Sequence, residues 1–272
     1  MTTTLTSDFV NDWQTWHSAR ERALATPHGW LSLTSFHWVP QAPSALPGLP
    51  GLFSVQDGHA VLTATADDGY TVVGDENGLA VPVDGTVRAE VAEARALQWV
   101  SIGDVQIELA LRGGRYAIRT RDPQASALLG FAGVPTFDID EKWVVTGHFE
   151  PFDAPRQIEV STARDDLVQS ITGVGTVTIV LQGQSVELTV TAGGAGSLNV
   201  PFHDGTNGET TARWRAVATT APDADGRVTI DFNRAINFPF SFSDFGTCPA
   251  PPAGNVVPIA VTAGELAPAT AA

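Results

Sequence analysis

The chain is nearly devoid of two residue types that carry much of protein chemistry: in 272 residues there is one lysine, Lys142, and one cysteine, Cys248. A lone cysteine closes no internal disulfide and builds no cysteine zinc site, so the fold must rest on its apolar core. Basic charge is scarce as a whole, with 15 basic against 30 acidic side chains and a formal charge of -15. A phosphate backbone needs a basic stripe, and the arginines here are scattered among twice as many carboxylates. Nucleic acid is therefore excluded as the main partner, and no association with an anionic membrane surface is expected. No run approaches the roughly 20 apolar residues that span a bilayer. Residues Met1 to Trp16 have neither a basic n-region nor an apolar h-region, so a soluble cytoplasmic protein is expected.

Several mechanistic signatures are also missing. There is no GxxxxGK[ST], no GxGxxG opening a βαβ unit, no HExxH and no GxSxG. The six histidines stand singly, with no pair at ligand spacing. Neither a metal nor a cofactor is expected. What the chain does contain is apolar material: 43% hydrophobic residues against 17% charged is enough for a packed core and too little charge for disorder.

The hydrophobic period assigns the elements. Phe9, Trp13, Trp16, Arg20 and Leu24 share one face at spacings of three and four, predicting an amphipathic helix capped by Ser7 or Asp8 and ended by Pro27 and Gly29. Arg20 is the odd member of that stripe. A covered guanidinium must find a carboxylate or carbonyl, or else point into a pocket. From Trp30 the period becomes two, and turn signals recur about every 8 to 12 residues. Hairpins are predicted at Asp57-Gly58, Gly113-Gly114 and Gly183, with further strands at 97–102, 143–149, 157–161, 213–217, 228–232 and 256–261. The expected architecture is all-β, an antiparallel sandwich or partly closed barrel with one N-terminal helix. Residues 1–28 form the helical segment, 29–265 the β domain with a soft division near 122–130, and 266–272 a frayed tail.

The chemistry-bearing residues concentrate late in the chain. Asp204 and Asp231 each end a hydrophobic strand pattern beside an aromatic, Phe202 and Phe232. Burial there would raise a carboxyl pKa unless Arg20, Arg119 or Arg215 stood close. His37 alternates away from the rings of Phe36 and Trp38, toward solvent or a cavity. Cys248 has no basic neighbour in sequence and reads as a buried, unreactive thiol.

At the C-terminus the run DFNRAINFPFSFSDFGTCPAPPAGNVVPIAVTAGE, Asp231 to Glu265, resembles the signature of the bacterial DUF1684 family, approximately DFNxAYNPPCAF, a TCPLPP element and a terminal AGE. Earlier pieces fit as well: Trp16 with Arg20 as WxxxR, PHGWLSLTSFHWV at 27–39, GRYAIRTRDP at 114–123 and FHDGTNGETTARWR at 202–215. Phe240 stands where the family pattern has cysteine, and Thr211 where it has tyrosine. The resemblance brings no substrate with it. It implies which positions to watch: Arg20, Trp30, His37, Arg119, Asp122, Asp204, Thr206, Thr210, Arg215, Asp231, Asn233, Asn237, Cys248, Pro249 and Glu265.

Three readings follow. The first is a cofactor-independent hydrolase or lyase acting on an oxygen-rich or anionic small molecule. Asp231 or Asp204 would serve as acid or base with His37 assisting, and Arg20, Arg119, Arg215, Thr206, Asn233, Asn237 and Glu265 would bind substrate. The second is a non-catalytic small-molecule binder using the same cavity. In the third the polar residues only hold the C-terminal loop. Composition leaves the oligomeric state open.

Overall fold

The computed structural model describes residues 6–72 and 81–268, so the start of the helical segment and the last four residues of the expected tail lie outside the described residues. Helix α1 spans Ser7–Leu24. Its cap is one residue earlier than the sequence suggested: the Phe9 N–H donates to Thr6 Oγ1 at 3.4 Å. Asp8 in the first turn and Arg22 in the last complement the helix dipole.

The chain forms two compact units. The first runs from Leu24 to Phe131, and the second joins the helix through Ala23 to everything from Ala132 onward. Residues 29–265, read above as a β domain with a soft division near 122–130, hold two apolar cores, and the boundary between the units falls after Phe131.

In the first unit the strands are β1 (Leu33–Trp38), β2 (Ser44–Leu46), β3 (Leu49–Gln56), β4 (His59–Ala64), β5 (Tyr70–Val72), β6 (Val81–Pro82), β7 (Gly85–Ala89), β8 (Ala96–Ile102), β9 (Val105–Arg112) and β10 (Arg115–Arg121), followed by the short helix α2 (Ser126–Leu129). They make a six-stranded sheet in the order β1-β10-β9-β8-β5-β6 and a four-stranded sheet β2-β3-β4-β7. The two share one core around Phe53, Leu62, Tyr70, Val100, Ile107, Leu109 and Ile118. This is an antiparallel sandwich. The Asp57-Gly58 and Gly113-Gly114 turns both have positive φ at their two central residues, the geometry that matches strand twist in a two-residue hairpin.

The second unit is one seven-stranded antiparallel sheet built from β11 (Val144–Ser161), β12 (Val168–Leu181), β13 (Gln184–Ala192), β14 (Leu198–Phe202), β15 (Arg215–Ala218), β16 (Arg227–Asp231) and β17 (Ile236–Asn237). The order is β16-β11-β12-β13-β14-β15-β17. The sheet curls until Thr219 bridges Ile230, but it does not close into a barrel. Its concave side holds Val177, Ile179, Leu188, Val200, Phe202, Val217, Ile230 and Phe232. The separate strands expected at 143–149 and 157–161 are one bent strand, β11, whose register slips between Pro151 and Arg156. The strand expected at 256–261 is absent. Among the described residues that segment makes two ladder-like bonds, Val257 N–H to His203 O and Gly205 N–H to Ile259 O, and Asn255 O just before it accepts the His203 N–H. Pro258 has no N–H to extend them.

Candidate functional site

Helix α1 lies on the second unit through polar tethers as much as through its rings. Trp13 Nε1 donates to the Asn233 carbonyl at 2.9 Å, and the Val134 N–H donates to Glu21 Oε1 at 3.0 Å. Arg20, the odd residue in the apolar stripe, donates from Nε to Glu265 Oε1 at 2.9 Å and from Nη2 to the Asn237 carbonyl at 2.9 Å. Glu265 is fully buried, and its Oε2 also accepts the Asn237 N–H at 2.6 Å. One carboxylate therefore joins the first helix, the last described segment and β17.

The approach of that segment depends on Gly264. Its φ is +77°, and a Cβ there would sit 2.5 Å from the Ala235 carbonyl oxygen and 2.8 Å from that of Phe232. Gly264→Ala is expected to cost more than about 1 kcal/mol, because the residue would be forced into a left-handed conformation against backbone that cannot yield. Urea unfolding measures this.

A second buried pair adjoins the first. Arg215 is fully buried and donates from Nη2 to Asp204 Oδ2 at 2.6 Å and to the Val261 carbonyl at 2.9 Å. From Nη1 it donates to the carbonyls of Ala263, at 2.5 Å, and Glu265, at 3.3 Å. Burial pulls its pKa below the ordinary arginine value, against the opposing pull of Asp204 and Glu265. The other Asp204 oxygen accepts both the N–H and the hydroxyl of Thr206, at 2.8 and 2.5 Å. Thr211, in the family's tyrosine position, closes this loop through its hydroxyl to Thr206 at 2.8 Å. Phe240, in the cysteine position, packs against Trp214 with ring centroids 4.2 Å apart and the planes tilted by 44°.

Asp231 sits in a different setting. Its Oδ1 accepts the N–H and the side-chain amide of Asn233, at 3.0 and 2.8 Å, and its Oδ2 accepts Arg234 Nε at 3.2 Å. Asn233 spends its remaining groups on the Asp140 backbone, accepting from N–H and donating to the carbonyl at 3.0 Å each. Arg234 also pairs with Asp12 of α1 and lies 5.7 Å from the Trp16 ring centroid. Between this face of α1 and the sheet there is a cleft of about 1020 Å³. Phe9, Trp16, Val144 and Ile236 supply apolar wall, and Arg20, Asp231 and Arg234 bring charge to it.

Of the residues singled out in sequence, Arg20 and Asp231 line this cleft. Asp204, Thr206 and Arg215 are joined in the buried network, with Asn237 and Glu265 beside them. Asn233 orients Asp231. His37 and Arg119 belong to the first unit. His37 Nε2 is buried without a hydrogen-bond partner among the described residues, and burial lowers the ring's pKa. Arg119 is bound to Glu108. Sequence reasoning passed over Arg234, Asp12 and Glu108. Asp12 does follow Phe9 at three and precede Trp16 at four on one helix face, which was a usable signal. Among the described residues no three His, Cys, Asp or Glu side chains converge as metal ligands would.

The sequence profile of the family described as "Protein of unknown function (DUF1684)" matches residues 129–266, half of the chain and nearly all of the second unit after its helix. The chain belongs to the DUF1684 family. The motifs at 16–20, 27–39 and 114–123 lie outside the matched stretch. Among curated proteins none matches. A solution NMR structure of an uncharacterized protein from Haloarcula marismortui is 30% identical, over 50% of this chain and 77% of that one, with a TM-score of 0.42. Within the DUF1684 stretch, Ala263, Gly264 and Glu265 of the terminal AGE are those that meet Arg215, Ala235 and Arg20. The described chain has no helix long and apolar enough to cross a membrane.

Proposed function

We propose that this DUF1684 protein binds a small, oxygen-rich molecule in the cleft beneath α1, and that it does so in the cytoplasm. The observation that carries the reading is the cleft itself: about 1020 Å³ with an aromatic wall of Phe9 and Trp16 facing the fixed polar groups of Asp231, Arg234 and Arg20. An apolar wall with a few preset donors and acceptors is the ordinary composition of a small-molecule site. Hydrolysis or elimination on the bound molecule is the second reading. It is favoured by Asp231, a carboxylate on the cleft wall whose orientation Asn233 and Arg234 hold in advance.

The test is a thermal-shift screen against sugars, polyols and hydroxy acids. It is followed by Ala218→Trp, which fills the cleft from an exposed position on its wall. The tryptophan variant is expected to stay folded and lose the response. Asp231→Asn is expected to weaken a hit by about tenfold or more, the scale of one hydrogen bond to a charged group. If Ala218→Trp binds every hit as the native chain does, the cleft is not the site. If Asp231→Asn lowers only the melting temperature, Asp231 is structural.

A further inference from the structure

The first unit carries a buried cluster whose charges do not balance. On the outer face of the six-stranded sheet, Arg119 in β10, Glu108 in β9 and Gln98 in β8 stand in register across three strands. Both guanidinium groups of Arg119 and Arg121 close on the one carboxylate: Arg119 donates to Oε1, at 2.9 Å from Nε, and Arg121 donates from Nε to Oε2 at 2.7 Å. Among the described residues neither arginine has a second carboxylate partner. Arg119 is 2% exposed, and the Arg121 side chain 11%. Trp30 covers both, its ring centroid 5.5 Å from Arg119 Cζ and 5.0 Å from Arg121 Cζ. Two cations and one anion leave a surplus positive charge, held out of water in a chain whose net charge is -15.

A desolvated charge without a counterion is costly, and buried ions are ordinarily paired. Beside this one is a pocket of about 310 Å³, lined by Arg121, Glu108, His28, Gln98 and Gln106. Gln98 and Gln106 have side-chain amides that can donate to an oxyanion. Arg121 is held rigidly by the His28 and Gly29 carbonyls, at 3.2 and 2.6 Å, so a guest meets a preset guanidinium. We infer that this pocket of the first unit binds a small oxyanion, a carboxylate or phosphate group, that completes the charge balance of the Arg119-Glu108-Arg121 cluster.

Inorganic phosphate and sodium acetate are the probes, each compared with sodium chloride at equal ionic strength by thermal unfolding and by calorimetric titration. At about ten times its dissociation constant, a bound anion is expected to raise the unfolding midpoint of this unit by about 6 °C. Gln98→Glu places the missing negative charge in the pocket from an exposed position. It is expected to abolish the anion response without lowering the midpoint in anion-free buffer. Gln98→Leu, which removes only the amide donor, is expected to weaken binding severalfold. A response to either probe supports the site, and the stronger of the two names the ligand's headgroup. The inference is overturned if both probes act only as sodium chloride does, or if both Gln98 variants respond as the native chain does.

Discussion

Alanine in place of Arg215 is expected to destabilise the second unit by about 3–5 kcal/mol, the scale of breaking a buried ion pair on one side. The reason is what remains. Asp204, whose side chain is fully buried, would keep its charge with no cation within reach, and the carbonyls of Val261, Ala263 and Glu265 would lose their donor. The damage should exceed that of removing the pair together. Leucine at 204 with methionine at 215 replaces both charges by apolar volume, and such exchanges are often neutral or stabilising. Urea unfolding of the two variants decides the matter. A loss under about 1 kcal/mol for Arg215→Ala would show that water or another group reaches Asp204. The same variants bear on function. Asp204 does not line the cleft, so a folded Asp204→Asn chain should keep whatever ligand response the native chain has.

The first unit offers the companion result, a dependence on pH that traces to one carboxylate. Burial alone would raise the Glu108 pKa, but Arg119 and Arg121 outweigh it and hold the group below its ordinary value of 4.5. A carboxylate depressed in the folded state contributes stability that is fully present above the unfolded pKa. That contribution is lost as pH falls through the folded value. The native chain should therefore weaken progressively below about pH 4.5, and Glu108→Gln should flatten that part of the profile. The glutamine variant should also be less stable at neutral pH by about 3–5 kcal/mol, because two covered guanidinium groups then face no anion. Unfolding free energies of the two chains between pH 3 and 7, followed by Trp30 and Trp99 fluorescence, are the measurement. Parallel profiles would refute the assignment.

The two variants probe opposite faces of one principle. In each unit a polar cluster, where an all-apolar core would serve stability equally, joins segments far apart in the chain. Arg20 and Glu265 are 245 residues apart, yet they close one unit. In the first unit Arg119 and Glu108 are 11 apart on adjacent strands, and Arg121 ties them to the Gly29 carbonyl, 92 residues away. Long-range clusters of this kind specify which segments meet, and they leave Asp231, Arg234 and Trp16 facing an open cleft.

Local features were open to inspection because local chemistry makes them. Asp57-Gly58 and Gly113-Gly114 turn their hairpins since small residues adopt positive φ at low cost, and the stripe from Phe9 to Leu24 is a helix because only that period puts its rings on one side. Cys248 is buried, as expected of a free thiol that packs as a small hydrophobe. Partners were another matter. Period reports which face of an element is apolar, never which face it will meet. Nothing near Arg20 in sequence points to Glu265, and nothing near Asp231 points to the helix whose Asp12, 222 residues before Arg234, pairs with that arginine. The grouping of helix α1 with the chain beyond Ala132, the placement of His37 and Arg119 in a separate unit, and the choice of which carboxylate stays at a cleft and which is sealed were all decided by tertiary packing. Burying apolar surface brings distant segments together, and a charge carried inward with them must then be matched by whatever group the fold delivers beside it.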